Sequence, residues 1–227
     1  MTLLKHIVEG ASLSRILLAT ALLTTLVGCE KQEPQLDAAA MAAASGAYRS
    51  CAACHGARGM GNKALQAPAL VNLDEDYLRR QLNNFRAGIR GRHAKDQWGQ
   101  QMYSQASLLK DETDVEAVVL QIGTFENLAP AATFEADIDR GKGLYDSTCG
   151  ACHGPNAEGI TLLNAPSLRG IDDWYLVRQY QNFGDGIRGT HEDDEYGQQM
   201  QRMGQVLKSE EDIRNVAAWL LSLGVDD

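Results

Sequence analysis

The hydrophobic positions of this chain recur mostly at helical spacing, in short stretches separated by polar, glycine-containing loops. Leu78, Leu82 and Phe85 fall on one helical face, with Asp74 placed as an N-cap and Gly88 as a stop. Leu176, Tyr180 and Phe183 repeat the pattern between Asp172 and Gly184. Val115, Val118, Val119 and Ile122 predict a helix starting near Glu112. Its counterpart carries Ile213, Val216, Ala217 and Leu220 behind a capping-box-like opening from Ser209 to Asp212. The Ala-rich residues 38–50 favour helix, and residues 139–147 are their expected partner. No alternating strand pattern stands out, so the expected fold class is all-α.

One apolar run differs. Ile16 to Val27 follows the cations Lys5 and Arg15, and its length suits a signal-peptide core rather than an ordinary spanning helix. It ends in Leu26-Val27-Gly28-Cys29, which resembles a bacterial lipobox, where cleavage precedes a cysteine that takes lipid. The expectation is a lipoprotein signal peptide over residues 1–28, lipidation at Cys29 and a polar tether over 29–37. That implies a periplasmic location, lipid-anchored to a bacterial membrane. No later stretch is apolar enough to cross a membrane.

The chain also matches itself at an offset of 98 residues. From Cys51/Cys149 to Gln121/Trp219 the copies align without a gap, and about 32 of 71 positions are identical. Two domains follow, expected at residues 38–128 and 129–227, with Asn127 to Thr133 as the connection. Each copy opens with C-x-x-C-H: Cys51, Cys54 and His55, then Cys149, Cys152 and His153. This is the attachment sequence of c-type haem. Two thiols add to the haem vinyl groups, and the adjacent imidazole takes one axial position on iron. A redox dithiol or half of a zinc site explains one such motif, but two in identical frames, each followed by Gly, point to two covalent haem c groups. The four motif cysteines and Cys29 use up all 5 cysteines, so none remains as a disulfide partner, catalytic thiol or iron ligand. About ninety residues make a small core, so a covalently held porphyrin is expected to support folding, and the two units to pack together.

The remaining axial position decides the chemistry. An open site suggests ligand binding or peroxide chemistry; a strong sixth ligand suggests electron transfer. Two candidates recur in both copies, Met102/Met200 and His93/His191, either reaching in from a distal loop. Met60 and Met203 have no Met counterpart. The residues themselves favour the methionines, within a repeated Gly-Gln-Gln-Met, without excluding the histidines. Arg90 and Arg188 recur in Gly-flanked turns, either as solvated loop charges or as partners of haem propionates.

Each unit resembles a class I cytochrome c domain, and the tandem resembles the two-haem cytochrome c4 group, over roughly residues 38–227. The resemblance rests on C-x-x-C-H-G, on P-x-L at Pro68–Leu70 and Pro166–Leu168, and on a Met seven residues before Leu109 and Leu207. It implies Met102 and Met200 as sixth iron ligands. It also implies that the Pro68 and Pro166 carbonyls orient the haem-ligating histidines, and that Leu70 and Leu168 pack on haem. First and last helices should cross through Gly141 and Tyr145 in the second unit; the first has Ala43 and Ala47 there, with Tyr48 one place off.

Charge is uneven within a net of −9. Residues 38–128 hold 10 Lys/Arg against 9 Asp/Glu; residues 129–227 hold 8 against 17, including Glu192 to Glu195. Either this serves solubility or it steers a basic partner to the second unit. It argues against nucleic acid. The expected function is a non-enzymatic electron carrier between periplasmic or membrane-bound respiratory redox proteins, such as a terminal oxidase or reductase, with no small-molecule substrate. The alternatives are a peroxidase-like haem enzyme and a cytochrome subunit of a larger oxidoreductase.

Overall fold

The computed structural model describes residues 46–225. The expected signal peptide, Cys29, the tether, Ala43 and most of the Ala-rich 38–50 stretch lie outside them. The described residues form helices joined by loops, with isolated bridges at Asn62–Ala67 and Ile160–Ala165 and no strand. None of these helices is long and apolar enough to cross a membrane.

The first repeat contributes α1 (Arg49–His55), α2 (Glu75–Arg86), α3 (Gln97–Ala106) and α4 (Glu112–Gly123). The second contributes α5 (Ile138–Thr148), α6 (Gly150–His153), α7 (Asp173–Gly184), α8 (Glu195–Met203) and α9 (Glu210–Ser222). Residues 127–133 are irregular, as expected of a connection. The predicted apolar faces turn inward, with Leu82, Leu176 and Tyr180 partly buried against the cores. Tyr48, Leu78, Val115, Val118, Val119 and Ile122 form the first core. Tyr145, Leu207, Ile213, Val216, Trp219 and Leu220 form the second.

Caps fix the helix starts. Asp111 accepts from the amides of Thr113 and Asp114, and Ser209 from that of Asp212. Asp74 and Asp172 hold the N-cap positions of α2 and α7, but their side chains make no capping bond. They reach instead into the other repeat: Asp74 accepts from the Ser167 amide and Asp172 from the Ala69 amide, each at 2.8 Å.

The Gly141 crossing is present. A Cβ on Gly141 would lie 2.0 Å from the Asn215 carbonyl oxygen of α9, so only glycine lets α5 approach this closely. Tyr145 stacks on Trp219 at 4.4 Å. In the first repeat Tyr48 does the same work from one place along. Its hydroxyl donates to the Gly56 carbonyl at 3.0 Å, as that of Tyr145 does to Gly154 at 2.7 Å.

Candidate haem sites

Each C-x-x-C-H segment forms one helical turn at the edge of a cavity, of about 130 Å³ in the first repeat and about 240 Å³ in the second. Cys51 and Cys54 line the first, Cys149 and Cys152 the second. None of the four is paired in a disulfide. Burial pushes the Cys51 and Cys149 thiols up. The turn ends at Gly56 and Gly154, both at positive φ (80° and 83°), and the chain runs back under the histidine.

The histidines are fixed in one tautomer. His55 Nδ1 lies 2.8 Å from the Pro68 carbonyl and His153 Nδ1 2.8 Å from that of Pro166. A carbonyl only accepts, so Nδ1 carries the proton and Nε2 keeps a free lone pair. Burial lowers the proton affinity of both rings, which keeps them neutral. Neutral imidazole is the metal-binding form.

Opposite stand the methionines. Asp96 accepts from the Gly99 amide and starts α3; Asp194 does the same for Gly197 and α8. One turn later each helix presents Met102 or Met200 to its cavity. Met102 Sδ lies 3.4 Å from His55 Nε2. With Nε2 unprotonated, this is no hydrogen bond but two lone-pair donors facing each other, a separation that bonds to a metal between them would widen. The methionines thus come from helices, not from the distal loops expected. Short, polar and glycine-containing, α3 and α8 carry only a sparse apolar stripe, Trp98, Met102 and Ala106 in one and Tyr196, Met200 and Met203 in the other.

His93 and His191 do not line the cavities. Their Nδ1 atoms accept from the amides of Lys95 and Asp193, and their carbonyls accept from Gln100 and Gln198. They shape the turn before α3 and α8. Met60 lines neither cavity; Met203 sits at the rim of the second, partly exposed.

Arg90 and Arg188 are not solvated loop charges: each is 7% exposed. They join the two repeats. Arg90 donates to Gln81 (2.7 Å), the Tyr175 hydroxyl (3.1 Å) and Gln179 (2.8 Å). Arg188 donates to Gln179 (2.7 Å), the Tyr77 hydroxyl (2.9 Å) and Gln81 (2.9 Å). Each guanidinium also lies 4.4 Å over a ring, Phe85 or Phe183, a contact of about 0.5–2 kcal/mol. Leu73, Tyr77, Gln81, Tyr175 and Gln179 line both cavities, so one layer of side chains forms their common wall. Sequence reading missed Tyr77, Gln81 and their twins as site residues. The available signal was their identity in both copies on a face with no apolar role.

Two apolar cavities, each with a dithiol turn, a neutral imidazole, a facing thioether and buried guanidiniums, fit haem. The comparisons agree. The cytochrome c family model matches residues 41–122 and 138–224. The thiosulfate dehydrogenase electron acceptor of Stutzerimonas stutzeri (strain A1501) is 29% identical over 80% of this chain and 82% of its own. That of Thiomonas intermedia (strain K12) is 33% identical over 66% and 70%. The crystal structure of reduced recombinant cytochrome c4 from Pseudomonas stutzeri shares the fold, with a TM-score of 0.60 at 22% identity over 83% of this chain and 97% of that one. With a C-x-x-C-H segment inside each matched region, the chain carries two covalent haem c groups and belongs to the cytochrome c family.

Proposed function

We propose that this dihaem electron-transfer protein is an exported, membrane-tethered carrier. It takes single electrons from a periplasmic dehydrogenase that oxidises an inorganic sulfur compound and passes them to a respiratory oxidase or reductase. Cys51 and Cys54 hold the first haem and Cys149 and Cys152 the second. His55 with Met102, and His153 with Met200, would supply the nitrogen and sulfur donors to each iron. The observation that carries this is the facing pair of lone-pair donors, His55 Nε2 and Met102 Sδ, with His153 and Met200 lining the equivalent cavity.

When bound, haem supplies a one-electron couple. The chain does the rest. The Pro68 and Pro166 carbonyls hold each imidazole ring in orientation. With Met102 and Met200 bound, the iron would offer no position to a substrate, which supports a carrier rather than a catalyst. The apolar lining limits water and favours the less charged reduced state. That two relatives are electron acceptors of thiosulfate dehydrogenase supports the choice of donor, and Leu26-Val27-Gly28-Cys29 supports the lipid tether.

Rapid mixing of the oxidised protein with a thiosulfate dehydrogenase and thiosulfate tests the donor. Reduction of both haems faster than by thiosulfate alone is expected; no acceleration would sink this donor class. A thioether–iron absorption band in the oxidised protein is expected for both haems. Its absence, with ready binding of carbon monoxide at one haem, would shift the reading to a haem enzyme.

A further inference from the structure

Four guanidiniums gather around the common wall: Arg80, Arg90, Arg178 and Arg188. Among the described residues none of them forms an ion pair with a carboxylate. Their Nη groups meet neutral acceptors. Arg90 and Arg188 use the glutamines and tyrosines described above. Arg178 donates to the Gln66 side chain (2.9 Å) and carbonyl (3.0 Å), and Arg80 to the Asn164 carbonyl (3.0 Å). In all four, Nε is buried and without a partner.

Cations in such a place need counter-charge, because burial without it is costly. The carboxylates that line the cavities, Asp96 and Asp194, are already committed to capping α3 and α8. The positive field is felt locally. Burial would push the Tyr77 hydroxyl up, yet Arg188, Arg90 and Arg80 together hold it below its ordinary value.

The distribution of the four is regular. The first cavity is lined by Arg90 of its own domain and Arg178 of the other. The second is lined by Arg188 of its own domain and Arg80 of the other. Each haem brings two propionates, so two haems supply one carboxylate for every guanidinium. We infer that the propionates of each haem are held by one arginine from its own domain and one from the other: Arg90 and Arg178 for the first, Arg188 and Arg80 for the second. The visiting arginine is gripped by the loop that serves the recipient histidine. Gln66 and Asn164, both left-handed (φ 56° and 50°), stand two residues before Pro68 and Pro166. This rests on the two cavities being the haem pockets. A cation beside the propionates favours the reduced iron electrostatically, so each haem is tuned from across the wall.

The test uses the full-length, haem-loaded protein. Midpoints of the two haems are resolved by their own haem-methyl NMR signals during redox titration. Arg178→Gln should lower the midpoint of the first haem more than that of the second, although Arg178 belongs to the second domain. Arg178→Lys should recover most of the shift. Gln66→Ala removes a neutral contact while the charge and its bond to the Gln66 carbonyl remain, and should leave both midpoints in place. Arg80→Gln should act mainly on the second haem, and decides the question alone if Arg178→Gln fails to load. A shift centred on the haem of the arginine's own domain, or no shift, would overturn the assignment. So would a Gln66→Ala shift as large as that of Arg178→Gln. Counting covalent haem per wild-type chain separately checks the pockets: fewer than two contradicts the underlying reading instead.

Discussion

Gly99 and Gly197 show how closely single residues set the distal side. A Cβ at either would sit 1.9 Å from an Oδ2 atom, of Asp96 or Asp194, so any other residue pushes the capping carboxylate off its helix. Gly99→Ala should cost roughly 0.5–2 kcal/mol, the usual worth of a cap, and weaken the thioether–iron band as α3 shifts; thermal melting and absorption read both. Met102→Ala should lower the first haem's potential and admit carbon monoxide there, checked by redox titration and ligand binding. An unchanged spectrum would return attention to other donors. At this scale the sequence was most informative where covalent chemistry demands fixed spacing, as at Cys51, Cys54 and His55. It was least so at Arg90, because nothing local to a Gly-flanked arginine tells that its partners Tyr175 and Gln179 lie 85 and 89 residues away.

Among elements, the crossing of α5 and α9 carries the second domain. Gly141→Ala would drive a methyl group into the Asn215 carbonyl and the Trp219 side chain, forcing the helices apart. Overpacking of this kind costs about 1–3 kcal/mol, so the variant should melt several degrees lower with the first domain's haem signals little changed. Helices with an apolar stripe were legible: α2, α4, α7 and α9 fall close to their predicted bounds. By contrast α3 and α8 were not, since Asp caps, glycines and glutamines define them rather than burial. The cap positions of Asp74 and Asp172 were read correctly. Their side chains were not, because a local rule does not reveal that the Ser167 and Ala69 amides in the opposite repeat take precedence.

For the molecule as a whole, the acidic surplus can be sorted by position. Glu192, Asp193 and Glu195 are exposed, whereas Asp194 is buried, caps α8 and accepts from Asn84. The predicted steering charge is therefore three residues, not four. Glu192→Gln, Asp193→Asn and Glu195→Gln combined should slow reaction with a basic redox partner at low salt and flatten the salt dependence; identical rates would leave solubility as their role. The contacts between the repeats carry a longer consequence. Arg90 to Tyr175 mirrors Arg188 to Tyr77, Asp74 to Ser167 mirrors Asp172 to Ala69, and Arg80 to Asn164 mirrors Arg178 to Gln66. Asn72 even donates to the carbonyl of its own counterpart, Gly170. Such reciprocity is the signature of a self-complementary twofold interface. A one-haem ancestor bearing these residues could pair with itself by the same bonds, so gene fusion would have had a finished dimer to tie together, and the two halves could then diverge elsewhere, in charge as in packing, while these bonds stayed.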